Sequence, residues 1–213
     1  MKRVAIQKAA EHLELARGAV GEMTLDNGFK AYEQAWSQFL TQASRLYSKL
    51  EQGAKGGGAS EPWFGKKKHE RKKDPLLSYI HHARDCDEHS IEHIASLSAD
   101  YISAQVTPGE GFYTSFEFMI DDKGRKHYRN IRAGSPNGPV PIEAVNAKVV
   151  TLTVHDRRYG NKFEPPLMHL TRPIVDTSPK GLASLAVTYL EQLLDEASKL
   201  PQSDSLFRGH NTN

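Results

Sequence analysis

The segment FKAYEQAWSQFLTQASRLYSKL, residues 29–50, carries the strongest structural signal in the chain. It contains no proline or glycine, and its apolar residues recur every three or four positions: Phe29, Tyr32, Trp36, Phe39, Ala43, Leu46 and Leu50. Side chains at this spacing lie on one face of an α-helix. We therefore predict a long amphipathic helix whose aromatic side chains pack in a core.

A second helix is predicted before this segment. Its apolar residues have the same spacing: Ile6, Ala9, Leu13, Ala16 and Val20. Residues 26–28, Asp-Asn-Gly, are typical of a turn, so the two helices should pack antiparallel along their apolar faces. Lys8, Glu11 and Glu14 interrupt the continuous apolar run that a signal peptide requires, and we expect no such peptide.

The composition limits the class of protein. The chain has 213 residues, a formal net charge of +2 and a single cysteine, Cys86. This length is enough to bury a core without a structural metal or a disulfide. One cysteine cannot form an internal disulfide, so nothing indicates an oxidising compartment. No apolar run approaches the ~20 residues of a membrane helix. We expect a cytoplasmic protein that has no membrane segment and no cofactor.

A basic segment, KKKHERKK at residues 66–73, follows a glycine-rich stretch. It carries a net charge of +5, which leaves −3 for the rest of the chain. Repulsion between like charges predicts a loop over residues 53–73. This loop is either simply solvated, or it attracts RNA phosphates while the neighbouring Trp63 and Phe64 stack on bases. The candidate nucleic-acid-binding residues are Lys66, Lys67, Lys68, Arg71, Lys72, Lys73 and Trp63.

A third helix is predicted to begin at Asp74-Pro75 and to run to about residue 104. One of its faces is polar: His82, Asp85, His89, Glu92, His93 and Ser96. His89 and His93 have the i, i+4 spacing of a two-histidine metal site, with His82 as a third ligand. Ser90 stands where a zinc-protease motif has glutamate, so we keep this set as a weak alternative and expect no metal.

The pattern changes from period 3.6 to period 2 after Gly111. Residues 112–120 predict a half-buried strand with Phe112, Phe116 and Phe118 in the core, and residues 125–132 predict the returning strand. A second hairpin is expected around Tyr159-Gly160-Asn161. Finally, Ser178-Pro179 has the chemistry of a helix start, and a regular apolar face follows it.

Together these patterns predict an α+β protein in three parts. Residues 1–106 form an antiparallel helical bundle that includes the loop at 53–73. Residues 107–200 form a small α+β domain of two hairpins and one helix, suited to partner binding or oligomerisation. Residues 201–213 are polar and predicted to be a disordered tail.

The third helix contains the string Arg84-Asp85 followed, after three residues, by His89. This string, at the end of the amphipathic segment DPLLSYIHHARDCDEH, resembles the Arg-x4–6-His signature of the HEPN superfamily (higher eukaryotes and prokaryotes nucleotide-binding). The resemblance covers residues 1 to about 106. It implies a helical bundle that forms a homodimer, and in many members a metal-independent ribonuclease of toxin or defence systems, with arginine and histidine from two protomers in one cleft.

The resemblance implies a role for each of the three residues. Arg84 would stabilise the scissile phosphate of RNA, His89 would transfer a proton, and Asp85 would orient one of them. Five residues of regular helix rotate by about 140°, so convergence of Arg84 and His89 requires a helix break or a second copy of the chain. The alternatives are a noncatalytic HEPN-like protein that dimerises or binds a partner, and a simple surface pair of Arg84 with Asp87 or Glu88.

Overall fold

The computed structural model describes residues 1–89, 93–98, 101–104, 111–122, 126–145, 147–156 and 160–202. The contacts divide the chain into two units, Met1–Ser96 with Val149–Asn213, and Leu97–Lys148. The predicted α+β class is confirmed, since helices are combined with short strands that pair antiparallel. Several predicted features lie outside the described residues: Glu92, the turn residues 123–125, Tyr159 and the tail residues 203–213.

The described helices are α1 (Arg3–Glu22), α2 (Phe29–Ala54), α3 (Ser60–Lys73), α4 (Pro75–His89) and α5 (Pro179–Lys199). The described strands are β1 (Ala95–Leu97), β2 (Tyr101–Ala104), β3 (Tyr113–Ile120), β4 (Lys126–Ser135), β5 (Gly138–Pro139), β6 (Ile142–Val145), β7 (Val149–Thr151), β8 (Val154–His155), β9 (Lys162–Phe163), β10 (Met168–His169) and β11 (Arg172–Pro173). None of the described helices is long and apolar enough to cross a membrane.

The first unit is organised around α2, which contacts each of the other four helices. Its predicted apolar face is confirmed, because all but one of its members are buried: Tyr32, Trp36, Phe39, Ala43, Leu46 and Leu50. The amide of Lys2 donates to the carbonyl of Gly53 at 3.0 Å, so the start of α1 lies beside the end of α2. The predicted antiparallel pair of helices is therefore present.

The predicted loop over residues 53–73 is wrong, because α3 occupies Ser60–Lys73. Three observations explain why this basic segment folds as a helix. The Phe64 side chain is buried in the core. Carboxylates of distant residues neutralise two of the lysines: Lys68 with Glu51 and Lys67 with Glu196, each at 2.9 Å. The last turn also places cations at the negative end of the helix dipole.

The predicted third helix is also corrected, because α4 ends at His89 instead of near residue 104. Ile94 and Ala95 are buried, and β1 pairs with β7. The amide of Leu152 donates to the carbonyl of Ile94 at 3.1 Å. Strand pairing with a segment more than fifty residues away thus overrides the local helical pattern.

The first predicted hairpin is confirmed, with β3 antiparallel to β4, but its predicted burial is wrong. Every residue of β3 is exposed. Phe112, Phe116 and Phe118 have exposed fractions of 53%, 49% and 57%, so they do not form a core. Alternation in a sequence reports that the two faces of a strand differ, but it does not report whether another layer covers either face.

The second hairpin pairs Val154 of β8 with Phe163 of β9. The final helix begins as predicted, because the hydroxyl of Ser178 accepts a hydrogen bond from the amide of Gly181 at 3.1 Å. However, α5 packs against α1 and α2 within the first unit. The sequence instead placed it in a separate domain of residues 107–200. The ammonium of Met1 donates a hydrogen bond to the carbonyl of Pro201 at 2.7 Å. The two ends of the described chain therefore lie side by side.

Candidate functional site

The three predicted catalytic residues lie in the second half of α4. This helix begins at Pro75, with the carboxylate of Asp74 accepting a hydrogen bond from the amide of Leu77 at 2.9 Å. Its buried face packs in the core: Leu76, Leu77, Tyr79, Ile80, Ala83 and Cys86. Cys86 is a free, buried thiol, which confirms its interpretation as a packing residue. Arg84 and Asp85 are half-buried, and His89 is exposed.

The guanidinium of Arg84 is held by carboxylates of its own helix. Its Nη1 lies 3.0 Å from Oδ1 of Asp85, and its Nη2 lies 2.5 Å from Oε2 of Glu88. Its Nε is buried and has no hydrogen-bond partner among the described residues. The surface pair of Arg84 with Glu88, which was the alternative to a catalytic role, is therefore present. Asp87 has a different role, since it accepts a hydrogen bond from the hydroxyl of Ser37 on α2.

His89 is the last residue of α4, and its side chain is 74% exposed. Its Nε2 lies 4.0 Å from Oε2 of Glu88, the same oxygen that pairs with Arg84. The two motif residues thus approach one carboxylate oxygen. In a single chain, that oxygen lies within 4.0 Å of both the guanidinium of Arg84 and the imidazole of His89.

The set His82, His89 and His93, which was kept as a weak alternative metal site, does not form a ligand cluster. The ring of His82 stacks on Phe163, with ring centroids 3.6 Å apart. Nδ1 of His93 lies 2.8 Å from Oε1 of Glu33 on α2. His89 lies at the end of α4, so the long polar face that would align these histidines is not formed. The described residues contain no group of three or more histidine, cysteine, aspartate or glutamate side chains that could hold a metal ion.

The basic residues of α3 separate into two groups, the first of which is engaged within the chain. Lys67 and Lys68 form the ion pairs described above, and Lys67 is only 15% exposed. The indole Nε1 of Trp63 donates to Glu196 at 3.0 Å, so this side chain is not free to stack on a base as predicted. The guanidinium carbon of Arg71 lies 4.7 Å from the centroid of the Tyr47 ring, a cation–π contact.

The second group consists of Lys66, Lys72 and Lys73. All three side chains are exposed, and none has an ion pair or a hydrogen bond to another described residue. Lys66 and Lys73 are seven residues apart and therefore lie on one side of the helix. We call these three residues the α3 lysine face. Within the described part of the chain, they are the exposed members of the predicted cationic set that have no ion pair.

Two features of this region were not anticipated from the sequence. Asp74 was interpreted only as a helix cap, but its buried carboxylate also lies 3.0 Å from Nδ1 of His169 and accepts from the amide of Leu170 at 2.8 Å. His81 is the second feature. Burial, together with the nearby guanidinium of Arg71, lowers the pKa of His81 to about 4. No sequence signal identifies either relationship, because the partners are brought together by packing of separate elements.

Comparisons with known proteins add no further information on this site. The chain matches no family model, no curated protein and no solved structure. The function is therefore inferred from the geometry and electrostatics of α3 and α4.

Proposed function

We propose that the protein binds RNA through the α3 lysine face. The observation that supports this proposal is the contrast within α3: Lys67 and Lys68 have carboxylate partners, whereas Lys66, Lys72 and Lys73 have none. Three unpaired cations on one helix favour contact with phosphates, which dominates the affinity of nonspecific nucleic-acid binding. Trp63 is hydrogen-bonded to Glu196, so stacking of its indole on a base contributes little to the binding. The binding therefore tolerates many RNA sequences.

The test measures the affinity for a 20-nucleotide single-stranded RNA by fluorescence anisotropy at several salt concentrations. The triple variant Lys66→Gln, Lys72→Gln and Lys73→Gln should bind more weakly. Its slope of log K against log salt should be smaller by about 2, since each phosphate contact on a single strand contributes about 0.7. If the triple variant retains the affinity and slope of the parent, the proposal is wrong.

A matched control separates a local site from a general effect of charge. Lys2, Lys8 and Lys30 are also exposed, and they lie on or beside α1 and α2. Changing these three lysines to glutamine alters the net charge by the same amount as the test variant. This control should retain most of the affinity of the parent. An equal loss in both triple variants would contradict a site on α3.

A second candidate function is metal-independent RNA cleavage by Arg84, Asp85 and His89, as in the HEPN ribonucleases that the motif resembles. The observation that favours it is the shared approach of Arg84 and His89 to Oε2 of Glu88, at 2.5 and 4.0 Å. In this proposal an RNA phosphate displaces Glu88 from Arg84. The exposed imidazole of His89 then transfers the proton between the attacking 2′-hydroxyl and the leaving 5′-oxygen. A homodimer would supply the motif residues of the second copy.

Cleavage is tested with the full chain and labelled RNA in the presence of a metal chelator. The parent should cleave, whereas Arg84→Ala and His89→Ala should each lose activity by about a hundredfold or more, the usual scale for proton transfer by a positioned side chain. Light scattering on the same samples measures the oligomeric state. An inert parent, or full activity in both variants, would remove cleavage and leave the noncatalytic binding protein.

A further inference from the structure

A small cavity lies within the first unit, between α2, α4 and α5. Its volume is about 30 Å³. Its wall is largely apolar, with Leu40, Leu77, Ile80 and Leu190 among the side chains that line it. Arg71 of α3 and His81 of α4 contribute polar groups to the same lining. An apolar chamber with a few convergent polar groups is the usual form of a small-molecule site.

Among the described residues, no carboxylate lies within ion-pair distance of Arg71. Its guanidinium is positioned by the Tyr47 ring, at 4.7 Å from the ring centroid. Its Nε is buried and has no acceptor among the described residues, and no described carboxylate forms an ion pair with it. Lys67 and Lys68 of the same helix are both neutralised by carboxylates. A buried N–H donor of a charged group is costly when it has no acceptor. The unsatisfied Nε–H of Arg71 therefore needs an explanation.

His81 does not add a second charge to the cavity at neutral pH. Its side chain is 38% exposed, and burial together with Arg71 keeps its pKa near 4. The N–H group of the neutral ring can still donate a hydrogen bond to an oxygen atom. The lining therefore combines one permanent cation, one neutral polar ring, the hydroxyl-bearing side chains of Ser44 and Tyr47, and an apolar wall. This combination matches a ligand that has one negative charge and one short apolar end.

We propose that this cavity binds a short-chain aliphatic monocarboxylate. The carboxylate pairs with the planar guanidinium of Arg71, a geometry that allows two parallel hydrogen bonds. The alkyl chain lies against the apolar wall. A volume of about 30 Å³ holds two or three groups of the size of water, which corresponds to the alkyl chain of butyrate. A phosphate, with more charge and no apolar end, fits this lining less well.

The first experiment follows the Nε–H resonances of arginine by NMR as butyrate is added to the full chain. The Arg71 signal, which is identified by its absence in Arg71→Lys, should shift and saturate. Acetate should bind about tenfold more weakly, because it lacks two methylene groups at about 0.8 kcal/mol each. Butyramide, which has nearly the same shape but no charge, should not shift the signal. An unshifted Arg71 resonance, or equal affinities for acetate and butyrate, would overturn the proposal.

Two variants test the same site by calorimetry with butyrate. Arg71→Gln should weaken binding by at least about tenfold, whereas the neighbouring Lys72→Gln, on the exposed side of α3, should leave it unchanged. Equal binding by Arg71→Gln and the parent would exclude this site. If Arg71→Gln does not fold, the titration of the parent's Arg71 resonance decides alone. The lysine-face triple variant should bind butyrate normally, so this proposal can fail or succeed independently of RNA binding.

Discussion

The Nη2 atom of Arg84 and the Oε2 atom of Glu88 lie 2.5 Å apart, one turn from each other on α4. The two side chains are 29% and 33% exposed, so the pair is only partly shielded from water. Asp85 contacts the other Nη atom of the same guanidinium. The arginine for which the HEPN resemblance implies a phosphate contact is thus already engaged by two carboxylates of its own helix.

This arrangement predicts a small energetic coupling. Glu88→Gln should lower the free energy of unfolding by about 0.5 kcal/mol, as is typical of i, i+4 pairs near a surface. A double-mutant cycle of Arg84→Ala and Glu88→Gln, measured by urea denaturation, gives the coupling. A coupling above about 2 kcal/mol would instead indicate a dehydrated pair that a phosphate could not easily separate.

Asp74 is predicted to be more important for stability than an ordinary helix cap. Its carboxylate contacts Leu77, His169 and Leu170, and it is buried. Asp74→Ala should therefore cost about 3 kcal/mol, because it removes a cap and leaves further buried donors unpaired. Ser178→Ala is the matched control, since the hydroxyl of Ser178 caps α5, and it should cost about 1 kcal/mol. Equal losses in the two variants, measured by urea denaturation, would contradict a bridging role for Asp74.

The lowered pKa of His81 predicts a dependence of stability on pH. The folded state resists protonation of His81 until about pH 4, whereas the unfolded chain takes up this proton near pH 6.5. Because the unfolded state then binds more protons, stability falls as the pH falls from about 6.5 to 4. Asp85 and His82 also face this ring, with opposite effects on its charge.

The contribution of His81 is isolated by comparison with His81→Gln. The parent should lose about 1 kcal/mol more than the variant between pH 7 and pH 4.5, a value well below the full shift because the ring is 38% exposed. From pH 7.5 upwards, the difference in the free energy of unfolding between the two proteins should not change with pH. A parallel pH dependence of parent and variant over the whole range, measured by urea denaturation, would show that His81 protonates equally in both states.

Two glycines in the helical unit should respond in opposite directions to alanine. A methyl group at Gly53, in the last turn of α2, would meet the Cβ of Ala5 at 2.4 Å. Gly53→Ala should cost about 1–3 kcal/mol by forcing α1 and α2 apart. Gly18 lies within α1 and has open space at the same position, so Gly18→Ala should stabilise the protein by about 0.5–1 kcal/mol. A gain in melting temperature for Gly53→Ala would refute the close contact of the two helices.

Local patterns were sufficient for several elements. The apolar spacing of residues 29–50 predicted α2 and its buried face, and Ser178-Pro179 predicted the start of α5. The alternation in residues 112–120 predicted β3 and its pairing with β4. In each case the determining interactions join residues close in sequence, through helical spacing, capping or a hairpin.

The candidate site was predicted less well. The sequence identified Arg84 and Asp85 as neighbours on a helix and named the cationic residues of α3. It offered Asp87 and Glu88 as alternative partners of Arg84 and did not decide between them, and it did not show that Trp63 would be hydrogen-bonded to Glu196. Ion pairs at a surface depend on side-chain rotamers and on neighbouring elements, so motif spacing alone leaves them undetermined.

The amino-acid sequence by itself determined the α+β class, the apolar helix faces, the hairpin pairing and the location of the cationic residues. Only the tertiary structure decided that residues 60–73 form a helix, that α4 ends at His89 and that Phe118 is exposed. The physical reason is the separation between the partners. Lys67 is neutralised by a carboxylate 129 residues away, and the strand that follows α4 is held by pairing with β7. Periodicity over a few residues contains no information about such contacts.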